Sequence, residues 1–207
     1  MNRVEPPFFL RWLSPGYLVC DLPVQEKVIF LTFDDGPVPG ATPEVLDILS
    51  KYQAKATFFM VGDNVRKFPA VYESVVQNGH GIGNHTFHHL NGWHSSPGLY
   101  IDDVYRCREY FSTRLFRPPY GRFSPSQYFL LRKDFRFILW SVLTCDYHRH
   151  TTPEQCLKNA VDHTTSGSVV VFHDSEKSLN NVRYALPRFL DHFTNLGYTF
   201  EPLSQTV

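Results

Sequence analysis

Two aspartates stand side by side at positions 34 and 35, and two histidines stand four residues apart at 85 and 89. Imidazole nitrogens together with a carboxylate oxygen form a donor set suited to zinc or a similar divalent ion. On one helical turn the spacing of His85 and His89 projects both rings to the same side. Asp35 completes a set of two histidines and one carboxylate. Three protein ligands leave coordination positions open, the arrangement of a catalytic site and not a structural one. Neighbouring residues at a turn can point in different directions, so one aspartate is available to a metal and the other to a substrate or water. Against this stands a plain reading, since Asp-Asp-Gly-Pro is also an ordinary polar turn. Nearby His88 and His94 read as surface residues.

The elements around these residues set the odds. Residues 28–33 are apolar, β-branched and aromatic, and predict a buried strand that ends on Asp34 and Asp35, with Gly36 and Pro37 turning the chain. Thr42-Pro43 opens a helix to about position 52, with Thr42 as its cap. Residues 56–61 predict a strand, 69–78 a helix ended by Gly79, and 80–84 a short strand or a close backbone approach around Gly81 and Gly83. A helix over 100–115, a Pro-rich extended segment over 116–121 and a helix from Ser124-Pro125 follow. A strand over 135–143, a helix capped by Thr152, an apolar strand over 168–172, a long helix over 179–195 bent at Pro187 and a short strand over 198–201 complete the pattern. The strands show no in–out alternation, so both faces are covered, which argues for a parallel α/β architecture that closes or nearly closes. In such a fold the strand ends share one face. That face would carry Asp34, Asp35, His85, Arg117, Tyr120, Asp146, Tyr147, His173 and Asp174, a convergence that chance turn chemistry does not account for. Asp174 by itself reads as a cap for the segment after it.

Taken together, these stretches resemble the NodB-homology polysaccharide deacetylases, carbohydrate esterase family 4. The resemblance runs from about 28 to 201 and rests on four motifs in order: Thr32-Phe33-Asp34-Asp35-Gly36, His85-Thr86-Phe87-His88-His89, Arg117-Pro118-Pro119-Tyr120-Gly121, and His173-Asp174 after an apolar strand. A fifth departs from the pattern. Where the family often has Asp-x-x-Asp-Trp, this chain has Leu143-Thr144-Cys145-Asp146-Tyr147, which keeps the second acid and a ring but loses the first acid.

The resemblance implies a distorted parallel (β/α) barrel and metal-dependent removal of an acyl group, usually N-acetyl from an amino sugar in a polysaccharide or oligosaccharide. It implies Asp34 as general base, oriented by Arg117. Asp35, His85 and His89 would hold one divalent ion, zinc first, with cobalt or nickel as alternatives. The Tyr120 backbone N–H would face the oxyanion, Asp146 would tune the charged groups, and His173 would be the general acid. An O-acetyl esterase acting on an acetylated glycan is the nearest alternative. A carbohydrate-binding protein without turnover is a third, although a binder has no need of all five of Asp34, Asp35, His85, His89 and His173.

Composition bounds the rest. The 207 residues suit one domain over 1–207, with residues 1–27 as an amino-terminal cap segment. Lys+Arg and Asp+Glu are both 20, so a zero formal net charge gives no electrostatic case for nucleic acid and suits an uncharged carbohydrate partner. The four cysteines show no CxxC spacing and are expected as free thiols. No apolar run is long enough to span a membrane. Residues 8–13 are apolar but interrupted by Arg11 and lack the form of a signal peptide, so a cytoplasmic location is expected. Nothing in the sequence specifies an oligomeric state.

Overall fold

A computed structural model describes residues 18–204. Residues 8–13, expected to pack as part of an amino-terminal cap, lie outside that range. Eight strands line up in the order β1 (Leu18–Val19), β6 (Arg136–Ile138), β5 (Leu115–Phe116), β4 (Gly81–Asn84), β3 (Ala56–Met60), β2 (Val28–Asp34), β8 (Val169–His173) and β7 (Val142–Leu143). Every pairing is parallel, and β9 (Thr199–Phe200) adds to the start of β2. The sheet curls into a distorted (β/α) barrel whose path ends at β1 and β7. Residues 18–27, expected only as a cap, thus supply an edge strand.

Burial explains why β2 is the central element. All seven of its residues are buried, as are all five of β3. One face of these strands packs on helices α1 (Thr42–Lys51), α6 (Pro153–His163) and α7 (Leu179–Asn195) through Phe33, Phe58 and Phe172, whose rings stack. Gly83 in β4 permits close packing, since a Cβ there would sit 2.3 Å from the Phe59 ring. No helix among the described residues is long and apolar enough to cross a membrane.

Several local expectations change. Helix α2 (Gly62–Lys67) is one short turn that no periodicity announces. The helix expected over 100–115 is α4 (Pro97–Arg106), followed by a 3₁₀ turn over Cys107–Glu109. The single strand expected over 135–143 is two strands: β7 at one end of the sheet path and β6 next to the other end. At Leu139 the backbone N–H donates to Val19 O at 2.7 Å, and the chain then crosses to pair with β8. Thr42 is not a helix cap. The cap position is Ala41, and the Thr42 hydroxyl accepts from Val38 N–H at 2.7 Å while donating to Asp174. Thr152 and Ser124 do cap α6 and α5 (Pro125–Leu131), Ser124 within a reciprocal capping box with Gln127.

Candidate active site at the carboxyl ends of the strands

Asp34 is the last residue of β2, and in the register of the sheet it stands opposite His173, the last residue of β8. The turn after β2 is shaped by Asp174. Its carboxylate accepts from Gly36 N–H at 3.1 Å and from the Thr42 hydroxyl at 2.6 Å, so it braces the loop after β2 and does not cap the segment that follows it. Gly36 is obligatory there, because a Cβ would lie 2.0 Å from Asp174 Oδ2. Burial pushes the Asp174 carboxyl up to about 8, with the Thr42 hydroxyl pulling the other way. Asp35 has φ 82°, a left-handed conformation that turns its side chain away from that of Asp34.

His85 and His89 do not lie on a helical turn. Residues 85–89 form an irregular loop with Thr86 at φ 62° and His89 at φ 56°. Side chains take the place of helical hydrogen bonds. Asn84 Oδ1 accepts from Thr86 N–H at 2.8 Å, and the buried Asp103 on α4 accepts from Phe87 and His88 N–H, both at 2.9 Å. Thr86 Oγ1 accepts from Leu90 N–H at 2.9 Å. The expected pairing of the two rings survives, with centroids 5.0 Å apart, but through this braced loop.

The ring of His85 is buried, and its Nδ1 is 2.8 Å from Arg117 O, which accepts the Nδ1–H. That bond fixes the tautomer and leaves the Nε2 lone pair for a metal. Nε2 of His85 lies 3.9 Å, and Nε2 of His89 3.1 Å, from Asp35 Oδ1. One ligand atom from each of Asp35, His85 and His89 falls within 4.8 Å of the others. Burial lowers His85 to about 4, keeping it neutral. Burial pushes Asp35 up, but the hydrogen bond from His89 and the neighbouring imidazoles reverse this and hold it ionised well below the usual carboxylate range. Two imidazole nitrogens and a carboxylate oxygen gathered this closely form a donor set chemically suited to a divalent ion.

Two ion pairs flank these three residues. Arg117 is fully buried and lies across the Phe59 ring at 4.1 Å. It donates from Nη1 to Asp34 Oδ1 at 2.7 Å and to Thr32 Oγ1 at 2.8 Å, and from Nε and Nη2 to the carbonyls of Ile138 and Leu139 at 3.1 and 2.8 Å. Asp146, also buried, accepts from His173 Nδ1–H at 2.7 Å and from His173 backbone N–H at 2.7 Å. Burial opposes a charge on His173, yet Asp146 overcomes it and raises the ring to about 9. Tyr147, in place of the usual tryptophan, packs its ring edge-on to His173 at 4.8 Å. Tyr120 has φ 61° and an exposed ring set edge-on to His89 at 4.9 Å.

Asp34, Asp35, His85, His89, Tyr120 and His173 line one cleft, with Arg117 beneath it and Asp146 behind His173. The eight residues to which the resemblance gives roles are therefore in one place. Leu143, standing where the family often has an acid, also faces this cleft. Residues that sequence reasoning passed over are there too. Lys177 reaches Asp35 Oδ2 at 3.0 Å, Asn64 donates to Asp35 O at 2.8 Å, and Trp140 and Arg122 line the walls. Trp140 sits within an apolar run that reads as strand, and Lys177 within a loop, so neither carries a local signal.

The "Polysaccharide deacetylase" family profile matches residues 21–133. A peptidoglycan-N-acetylglucosamine deacetylase of Bacillus cereus is 34% identical over 93% of this chain and 93% of its own length. A chitooligosaccharide deacetylase of Azorhizobium caulinodans is 34% identical over 72% of this chain and 74% of its own length. Among solved structures, the Bc1960 peptidoglycan N-acetylglucosamine deacetylase superposes with a TM-score of 0.87 at 29% identity, covering 93% of this chain and 94% of that one.

Proposed function

The chain belongs to the polysaccharide deacetylase family, and from that premise we propose that it hydrolyses N-acetyl groups from amino sugars in a glycan. The observation that carries the reading is the register pairing of Asp34 with His173 beside the three metal-binding candidates. It sets a fixed carboxylate and a cationic imidazole on neighbouring strand ends, the two groups that amide hydrolysis needs for opposite proton transfers.

Asp35, His85 and His89 would hold one divalent ion, zinc by the character of the donors, with cobalt or nickel as alternatives. When bound, it supplies Lewis acidity, polarising the acyl carbonyl and bringing the pKa of a water toward 7. Asp34 takes the proton from the attacking water as general base. Arg117 fixes one oxygen of Asp34 by a hydrogen bond, which leaves the other to the cleft. The backbone N–H of Tyr120 donates to the developing oxyanion. His173 Nε2–H, cationic through Asp146, then protonates the leaving nitrogen. A sugar amine leaves poorly as an anion, so the C–N bond breaks only with that proton in place. Water and the acetamide thereby yield acetate and the free amine.

The test is acetate release by chelator-stripped and metal-restored protein from N-acetylglucosamine oligomers and from acetylated xylan. Release from the amide substrate after metal addition is the expected result. Release from xylan alone would point to an O-acetyl esterase, and binding without release from either to a carbohydrate-binding protein. His85→Ala and His89→Ala should each lose the ion by elemental analysis, and full stoichiometry in both would remove these ligands from the site.

A further inference from the structure

Trp93 is 63% exposed, yet it is held firmly. Its indole N–H donates to Phe123 O at 3.2 Å, and its backbone N–H donates to Asn91 Oδ1 at 3.1 Å. Gly92 packs so tightly before it that a Cβ would lie 2.5 Å from Arg122 O. The fully buried amide of Gln127 on α5 donates to Gly92 O at 2.9 Å and to Ser95 O at 3.4 Å, while its oxygen accepts from Ser124 N–H at 2.8 Å. A large ring on a loop ordinarily folds down onto apolar neighbours, because leaving it in water forfeits its burial. Here a buried amide and a capping box fix a short loop so that the ring stays in solvent.

The ring is also continuous with the cleft. The Arg122 guanidinium lies 5.0 Å from the Trp93 ring centroid and 6.0 Å from that of Tyr120, and both Arg122 and Tyr120 line the cleft. Tyr120 in turn touches His89. A shelf of ring, guanidinium and ring therefore leads outward from the candidate metal centre.

We propose that Trp93 and Arg122 form a second sugar subsite, which binds the unit adjoining the one that loses its acetyl group. A pyranose presents a face of C–H groups that stacks on an indole, and its hydroxyl and ring oxygens accept from a guanidinium. Because the loop is ordered beforehand, little conformational freedom is lost on binding. Trp93 is thus a substrate-positioning residue, and the site takes oligomers in preference to single sugars. The identity of the ligand as an amino-sugar oligomer rests on the function proposed above.

The experiment compares metal-loaded wild type, Trp93→Ala and Trp93→Phe. Calorimetric titration with a glucosamine tetramer, which carries no acetyl group to hydrolyse, measures binding without turnover. N-acetylglucosamine monomer and turnover of an aryl acetate serve as references, and thermal midpoints confirm folding. Trp93→Ala should weaken the tetramer about tenfold, the scale of one aromatic contact. Monomer binding and aryl acetate turnover should stay at wild-type level, and Trp93→Phe should keep most of the affinity. Unchanged tetramer affinity in Trp93→Ala, equal losses on tetramer and monomer, or no tetramer binding by wild type would each overturn the subsite. Trp93-dependent binding by a wild type that releases no acetate from any N-acetylated glycan would instead leave the subsite standing and remove the deacetylase reading.

Discussion

Arg117–Asp34 and His173–Asp146 are the same device with the charges exchanged. In the first pair the cation is sealed away and the anion reaches the cleft, with side-chain exposures of 0% and 6%. In the second the anion is sealed and the cation reaches the cleft, with exposures of 0% for Asp146 and 12% for His173. The buried member of each pair is walled off from the cleft, and the member at the cleft is the one that exchanges a proton in the proposed mechanism. A buried pair contributes little net stability and is costly to break. In the proposed mechanism these pairs supply a base on β2 and an acid on β8, on neighbouring strand ends.

The comparison breaks most severely at Asp34. Asp34→Asn keeps an acceptor for Arg117 but cannot take a proton, so deacetylation should fall by about 10²–10⁴ with the metal retained. Near-normal turnover, with metal content verified, would remove Asp34 from the proton transfers. His173→Ala should lower amide hydrolysis on the same scale, about 10²–10⁴. An activated aryl acetate, whose leaving group departs without a proton, should be affected far less. Parallel losses on the two substrates would show His173 to be structural.

Asp146→Asn sharpens the comparison, since it removes the sealed charge and leaves the working ring. His173 is needed protonated, so wild-type activity should fall as pH rises through about 9. Without Asp146, burial is opposed only by the smaller pull of Asp35 and Asp34, and this alkaline limb should move down from about 9 toward the ordinary histidine value. The same shift makes the pair stabilising below pH 6.5, with that contribution lost as pH rises through about 9. A pH–rate profile of the variant that overlays the wild type would disprove the coupling.

The smallest effect concerns a histidine with no carboxylate partner among the described residues. His80 Nδ1 accepts from Ala56 N–H at 3.2 Å, and burial, aided by Lys55, lowers the ring to about 4. The unfolded chain takes up the proton first, so stability should fall as pH drops from 6.5 toward 4, by on the order of 1–3 kcal/mol. His85 contributes in the same direction while no ion is bound. Urea midpoints at pH 5 and 7 should therefore differ less in His80→Asn than in wild type.

The sequence displayed whatever is contiguous. The run into Asp34-Asp35, the Arg117–Tyr120 segment and His173 after an apolar strand each carry their element and their chemistry within a few residues. The braces are not contiguous. Asp174 reaches Gly36 and Thr42 across 138 and 132 positions, and neither partner marks the other. The rings of His85 and His89 do come together, but not on the helical turn that their spacing suggested, because Asn84 and Asp103 hold a loop there. The jump from β6 to β7 was hidden because residues 135–143 are apolar throughout, a composition that fits one strand as well as two.

Among the described residues, six that are not glycine have positive φ: Asp35, Gln53, Thr86, His89, Tyr120 and Cys145. Five of the six belong to the loops that build the site. Such positions hold a side chain where glycine or asparagine would rest more easily. A laboratory population selected only for heat tolerance would therefore find improvements by replacing residues in the loops of the candidate site. Selection for thermal endurance would then erode activity, and pressure for activity would keep those same loops from relaxing. Robustness in this protein has to come from elsewhere, from the helices and the sheet, where side chain and backbone already agree.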